Sequence, residues 1–242
     1  MVNNECAEYD QHLIYIPKNG ACNFNNTEFK TILNFNKYGR INDLSSDELL
    51  KKSGAIALLG DSFAMGWGVN DNETFSALLE KKVNKKVFNT AVASYGTYRQ
   101  LIRFERLNLH KYVDTIIIQY NNNDLDENKF FQENNFKKNR ETFEFLSQIS
   151  KKDKKKLFAQ IGPSIKYFIA RVYSFFALYK NDFKEHQVYL IKLINKFENV
   201  KNKRIIIFYL NHFNKKFKNY PLNQDEFPNI EFIEINLDKK YF

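Results

Sequence analysis

From Ala55 onward the chain alternates between short apolar runs and segments whose apolar positions recur three or four residues apart. Ala55–Leu59 is a continuous apolar run of strand length, and it meets Gly60. Glu73–Val83 has helical spacing through Phe75, Leu78, Leu79 and Val83, with Asp71 and Asn72 placed to cap it. Lys86–Asn89 reads as a brief strand, Tyr98–Leu109 as a helix, and Thr115–Tyr120 as a strand dominated by β-branched residues. The order is β-α-β-α-β. Helices are then expected at Glu141–Ser150, Ile165–Tyr179 and Phe183–Phe197, and strands at Arg204–Leu210 and Ile230–Ile235. Apolar strands separated by helices imply a parallel sheet covered on both faces, a three-layer α/β/α sandwich over residues 51–242.

The first fifty residues carry no strong helical period. His12–Ile16 and Phe29–Phe35 alternate in part, and Lys18-Asn19-Gly20 and Lys37-Tyr38-Gly39 supply turns. Residues 1–50 are therefore expected to form a small strap packed on the main domain, with a helix over Ser46–Lys52 behind a Ser46 cap. Asn121–Arg140 reads as loop-rich, the start of a long connection between the third and fourth strands.

Composition narrows the function classes. Thirty-seven Lys and Arg against 28 Asp and Glu leave a net charge of +9, so anionic partners are conceivable. The lysines lie in scattered patches without a basic stripe or a recognisable reader module, and no nucleic-acid partner is read from them. Cys6 and Cys22 can make at most one bridge, and neither they nor the four histidines show the ligand spacing of a metal site. No metal or cofactor is expected. The stretch Tyr167–Tyr179 is too short for a bilayer span and contains Arg171, so no membrane span is read; the polar, acidic Met1–Tyr9 is not a signal peptide as it stands, and the chain reads as soluble with its compartment open. Oligomeric state is not legible.

Candidate chemistry collects where the strands end. In an open parallel sheet, ligands sit outside the C-terminal strand ends, and Ser62 follows the first strand of the sheet directly. Gly60 is expected to use a backbone conformation closed to other residues and so to turn the chain sharply. Gly-x-Gly-x-x-Gly and Gly-Lys-Ser/Thr are both missing there, which argues against dinucleotide and P-loop sites.

Gly60-Asp61-Ser62-Phe63 resembles the first motif of the SGNH/GDSL family of serine esterases and acyl-modifying enzymes. Asn89-Thr90-Ala91-Val92-Ala93-Ser94-Tyr95-Gly96-Thr97 is similar to its second motif, and Asn121-Asn122-Asn123-Asp124 to its third. The resemblance implies Ser62 as nucleophile and first oxyanion donor through its own N–H, the Ser94 backbone N–H as second donor, and the Asn123 amide as third. It also implies a flavodoxin-like strand order, 2-1-3-4-5, which makes the first and third strands neighbours. Two positions depart from the pattern: Ser94 and Asn121 each stand where glycine is usual. An amide N–H survives both changes.

The general base is harder to find. The family's last motif is Asp-x-x-His, whereas here Asp238 is followed three residues later by Tyr241. His12, His110 and His186 read as surface or packing residues; His212 alone follows a strand on the correct edge. Asp61, Asp124 and Asp126 could share that rim, but no paired acid and base can be assigned from their spacing. The resemblance implies hydrolysis of a small-molecule or carbohydrate O-acyl ester, or transfer of its acyl group. The opposing reading is a noncatalytic ligand- or protein-binding domain derived from the same fold.

Overall fold

The computed structural model describes residues 6–25, 29–42, 54–121, 123–133, 143, 183–211 and 227–236. Within them the strands are β1 (Ala7–Asp10), β2 (Ile14–Pro17), β3 (Gly20–Asn25), β4 (Lys30–Asn36), β5 (Gly39–Arg40), β6 (Ala55–Leu59), β7 (Val87–Asn89), β8 (Val113–Tyr120), β9 (Arg204–Asn211) and β10 (Ile230–Asn236). The helices are α1 (Ser62–Met65), α2 (Phe75–Val83), α3 (Thr97–Arg106), α4 (Asp124–Glu133), α5 (Phe183–Ile194) and α6 (Glu198–Lys201). The helices expected at Ser46–Lys52 and Ile165–Tyr179 lie outside the described residues, as does all but one residue of that at Glu141–Ser150.

One sheet of eight strands runs β10-β9-β8-β6-β7-β5-β4-β3. Its five parallel members take the order second, first, third, fourth, fifth. β3 to β5 extend the same sheet antiparallel from the β7 edge, through Arg40 opposite Asn89. β1 and β2 form a separate antiparallel pair.

Strand residues alternate between two cores, which is why β6 reads as unbroken apolar sequence. Ala55, Ala57 and Leu59 pack with Ile116, Ile118, Ile205 and Ile207 beneath Leu101 and Phe104 of α3, Leu190 and Ile194 of α5 and Val200 of α6. Ile56, Leu58, Val87 and Ile117 pack on the opposite face with Ala64 and Met65 of α1 and Leu79 of α2. The molecule is thus a three-layer α/β/α sandwich on a mostly parallel sheet. Each fully buried Leu or Ile contributes about 1.5–3 kcal/mol relative to exposure, so the two faces together hold the strand ends rigidly.

Three local expectations are corrected. Gly60 does not occupy the left-handed region; it is required because a Cβ there would lie 2.4 Å from the Ala64 Cβ and 2.9 Å from Gln119 Oε1. The cap of α2 is Thr74, whose side chain accepts from Ala77 N–H, while Asn70 and Glu73 close a capping box on a 3-10 turn before it. The stretch following Asn121 is helical over Asp124–Glu133, because Asp126 and Glu127 lie in its first turn and complement the helix dipole.

Candidate active site

The C-terminal ends of β6, β7 and β8 are tied to one another by side chains. Asp61 is the hub: its backbone N–H donates to Gln119 Oε1 at 3.1 Å, its carboxylate caps α1 through the Phe63 N–H at 2.9 Å, and it also accepts from Asn121 Nδ2. Burial raises the Asp61 carboxyl above its ordinary value, and those hydrogen bonds oppose the rise. Val92 N–H donates to the Gly60 carbonyl at 3.1 Å, which brings the loop after β7 against the loop after β6.

Ser62 begins α1, and its side chain lines a cleft of about 570 Å³ with Ser94, Tyr15, Phe63, Trp67, Val69, Glu73 and Phe75. The structure therefore brings Ser62 and Ser94 together. Asn123 lies exposed at the start of α4, beyond the end of the neighbouring strand β8, and is not among the cleft-lining residues. Ser94 sits at φ 63°, the left-handed region in which glycine is at ease. Among the described residues, the backbone N–H groups of Ser62 and Ser94 and the side-chain amide of Asn123 have no hydrogen-bond partner. Three donors at adjoining strand ends are thus open to an acceptor.

The floor of the cleft is held by Arg40. Its guanidinium donates to Asp71 at 2.9 Å, to the Met65 carbonyl at 3.0 Å, to the Val69 carbonyl at 2.6 Å and to the Gly66 carbonyl. Gly66 at φ 81° ends α1, and Gly68 at φ 92° turns the chain toward Asp71. Phe63, Val69 and Phe75 stay exposed on the resulting wall, an apolar surface beside the Ser62 hydroxyl.

A second network fixes the loop that carries Ser94. Arg99 of α3 donates to Glu127 of α4 through Nε at 2.8 Å and Nη2 at 2.5 Å, and also to the Ser94 carbonyl. The same Glu127 oxygen accepts the Gly96 N–H at 2.6 Å. Burial works against the Arg99 charge, but Glu127 together with the Tyr15 and Tyr95 hydroxyls more than offsets it and raises the guanidinium above its ordinary value. Thr97 Oγ1 donates to Asp124 at 2.9 Å, and Tyr98 N–H to Asn128 Oδ1 at 2.7 Å. Burial first, then the Glu127 charge, hold the Asp124 carboxyl well above the usual carboxylate range. The N-terminus of α3 is capped by side chains of α4, so the second and third sequence motifs are tied directly to each other.

Tyr15, Arg99 and Glu127 carry this architecture, and the sequence offered no local signal for any of them. Tyr15 lies 78 positions from Ala93, and Arg99 lies 28 from Glu127. None of the described histidines lines the cleft. His110 stands at the opposite edge, before β8; His186 is buried on α5 with its Nδ1 2.5 Å from the Tyr120 hydroxyl. His212 and Asp238 lie outside the described residues. Among the described residues no group of three His, Cys, Asp or Glu is placed to hold a metal ion, and no helix is long and apolar enough to cross a membrane.

No protein-family model matches the chain, and no curated protein does. Among solved structures, a lipolytic protein assigned to the G-D-S-L family, from Desulfitobacterium hafniense DCB-2, is similar over 75% of this chain and 77% of its own, at 15% identity and a TM-score of 0.41. The chemistry of the cleft rests on its own residues.

Proposed function

We propose that the chain is an SGNH-like serine enzyme acting on O-acyl esters, either hydrolysing them or transferring the acyl group, with small molecules and acylated carbohydrates as the substrate class. The observation that carries this reading is one cleft lined by both Ser62 and Ser94, whose backbone N–H groups have no hydrogen-bond partner among the described residues. Ser62 Oγ attacks the ester carbonyl and forms a new C–O bond. The carbonyl oxygen takes the negative charge and is met by the Ser62 and Ser94 N–H groups and the Asn123 amide. The Oγ proton passes to a base and from it to the departing alcohol as the original ester bond breaks. Water, or an acceptor hydroxyl, then removes the acyl group from Ser62.

His212 is the candidate base, since it directly follows β9 in sequence and β9 is separated from β6 only by β8. The apolar wall of Phe63, Val69 and Phe75 gives the acyl chain or a sugar face somewhere to lie.

The test is covalent labelling. The purified chain is treated with a fluorophosphonate and, separately, with p-nitrophenyl acetate, and the modified residue is located by mass spectrometry. Labelling at Ser62, abolished in Ser62→Ala and slowed in His212→Ala, is the expected result. A folded chain in which Ser62 takes neither probe overturns the reading and favours a noncatalytic binding domain.

A further inference from the structure

Resting on that reading, we infer that Tyr15 is a positioning residue of the oxyanion site, supplied by the N-terminal hairpin and not by any of the three strand-end motifs. Its hydroxyl donates to the Ala93 carbonyl at 2.6 Å. The Ala93 carbonyl and the Ser94 N–H belong to one planar trans peptide and point in opposite directions. Holding the carbonyl therefore fixes the direction of the N–H, and withdrawing electron density from the oxygen makes that N–H a better donor.

Independent features of the structure favour this role over simple packing. Tyr15 is 2% exposed yet lines the cleft beside Ser62 and Ser94. The residue before it, Ile14, is held at φ 69°, a conformation that a β-branched side chain adopts only under constraint. The Ser94 N–H has no other partner among the described residues, so nothing else sets its direction from the donor side. Tyr15 is itself anchored, since the Tyr95 hydroxyl donates to its backbone carbonyl. The next peptide is held separately by Arg99 on the Ser94 carbonyl. A side chain that merely filled space would need none of these polar contacts.

The experiment follows the rate at which p-nitrophenyl acetate acylates Ser62, by intact mass, in the wild-type chain, Tyr15→Phe and Ser62→Ala, together with the backbone amide resonance of Ser94. Tyr15→Phe keeps the ring and removes only the donor. The maximal acylation rate is expected to fall about tenfold or more, less than the 10²–10³ that follows loss of a whole donor. The ester concentration at half-maximal rate should stay within about twofold, because the acceptor charge appears only in the transition state. The Ser94 amide resonance should move. Thermal unfolding reports the structural component separately. If Tyr15→Phe does not fold, Tyr95→Phe takes its place: it loosens the anchor and should show a smaller loss of the same kind. Wild-type acylation with an unchanged rate and an unmoved Ser94 amide in a folded variant overturns the role of Tyr15 alone. A folded wild type that is not acylated at Ser62 overturns the functional reading and the oxyanion role with it.

Discussion

Tyr15 and Tyr95 hold each other across 80 positions of sequence: the Tyr95 hydroxyl donates to the Tyr15 carbonyl, and the two rings meet edge-on at 5.5 Å. Both are almost fully buried, and burial pushes both phenols upward, so each remains a protonated donor at neutral pH. Arg99 lies 4.3 Å from the Tyr95 ring centroid and 4.4 Å from that of Phe131, which closes the cluster with a charge. Tyr95→Phe leaves a buried carbonyl without its donor and is expected to destabilise the fold by about 1–3 kcal/mol. Urea unfolding followed by circular dichroism measures it, and a change within about 0.3 kcal/mol would show that the contact carries no weight.

The hairpin that delivers Tyr15 is closed by a covalent bond. Cys6 and Cys22 form a disulfide with 16 residues of sequence separation, and both are buried. In the chain-entropy account, a loop of that length stabilises by about 3 kcal/mol. Reduction, or a Cys6→Ser and Cys22→Ser double variant, should lower the urea midpoint accordingly. Amide exchange at Leu13 and Tyr15 should accelerate more than exchange in β6 and β8, because the loss falls on the segment within the loop. Uniform acceleration across the sheet would mean that hairpin and sandwich unfold as one unit.

Ser94 occupies the position where the resemblance leads one to expect glycine, and its φ of 63° shows what that position demands. The left-handed conformation costs a residue with a Cβ about 1–2 kcal/mol, and glycine gives back roughly 0.5–1 kcal/mol through its looser unfolded chain. Ser94→Gly should therefore leave stability unchanged or raise it by up to about 1 kcal/mol. Ser94→Val, whose branched side chain fits that region worst, should lose about 1–2 kcal/mol. Equal midpoints for the two variants would contradict the strain assignment.

The parallel sheet was legible from its central strand, because β6 is buried on both faces and so is written as uninterrupted apolar sequence; Ala55–Leu59 is the same five residues in pattern and in structure. The strand ends followed, and Ser62 with them. What stayed hidden depends on distant contacts. Gly60 is one case: its identity is set by Ala64 and Gln119 packing against its Cα, and spacing along the chain does not reveal that. Gly60→Ala should consequently destabilise by about 1–3 kcal/mol through overpacking, with no backbone strain to relieve. The start of α4 is another, since a run of Asn and acidic residues resembles a loop until the α3 N-terminus is seen to need Glu127 and Asn128 as caps. Tyr15 lay in a segment whose alternation suggested only a strap.

Asp10 and Asp124 should answer acid in opposite senses. Burial pushes the Asp10 carboxyl up, but a bidentate contact with Arg106 at 2.7 and 2.8 Å and the N–H groups of Leu13 and His12 outweigh it, leaving its pKa below the ordinary 3.8. Its contribution is fully present above 3.8 and is lost as pH falls through the lower folded value. Asp10→Asn should thus cost about 1–3 kcal/mol at pH 7 and progressively less below pH 3.8. Asp124 is the reverse: its folded pKa lies well above 3.8, so its ionised form opposes folding at neutral pH and the opposition vanishes as pH falls to 3.8. Asn at this position can still accept from Thr97, so Asp124→Asn should stabilise relative to wild type at pH 7, with the gap closing on acidification. Urea midpoints of the two variants and wild type at pH 7, 5 and 3.5 decide it: if Asp124→Asn is destabilising at pH 7 and the loss persists at pH 3.5, the carboxylate is held by contacts that the amide cannot replace, and the charge penalty is not what governs that site.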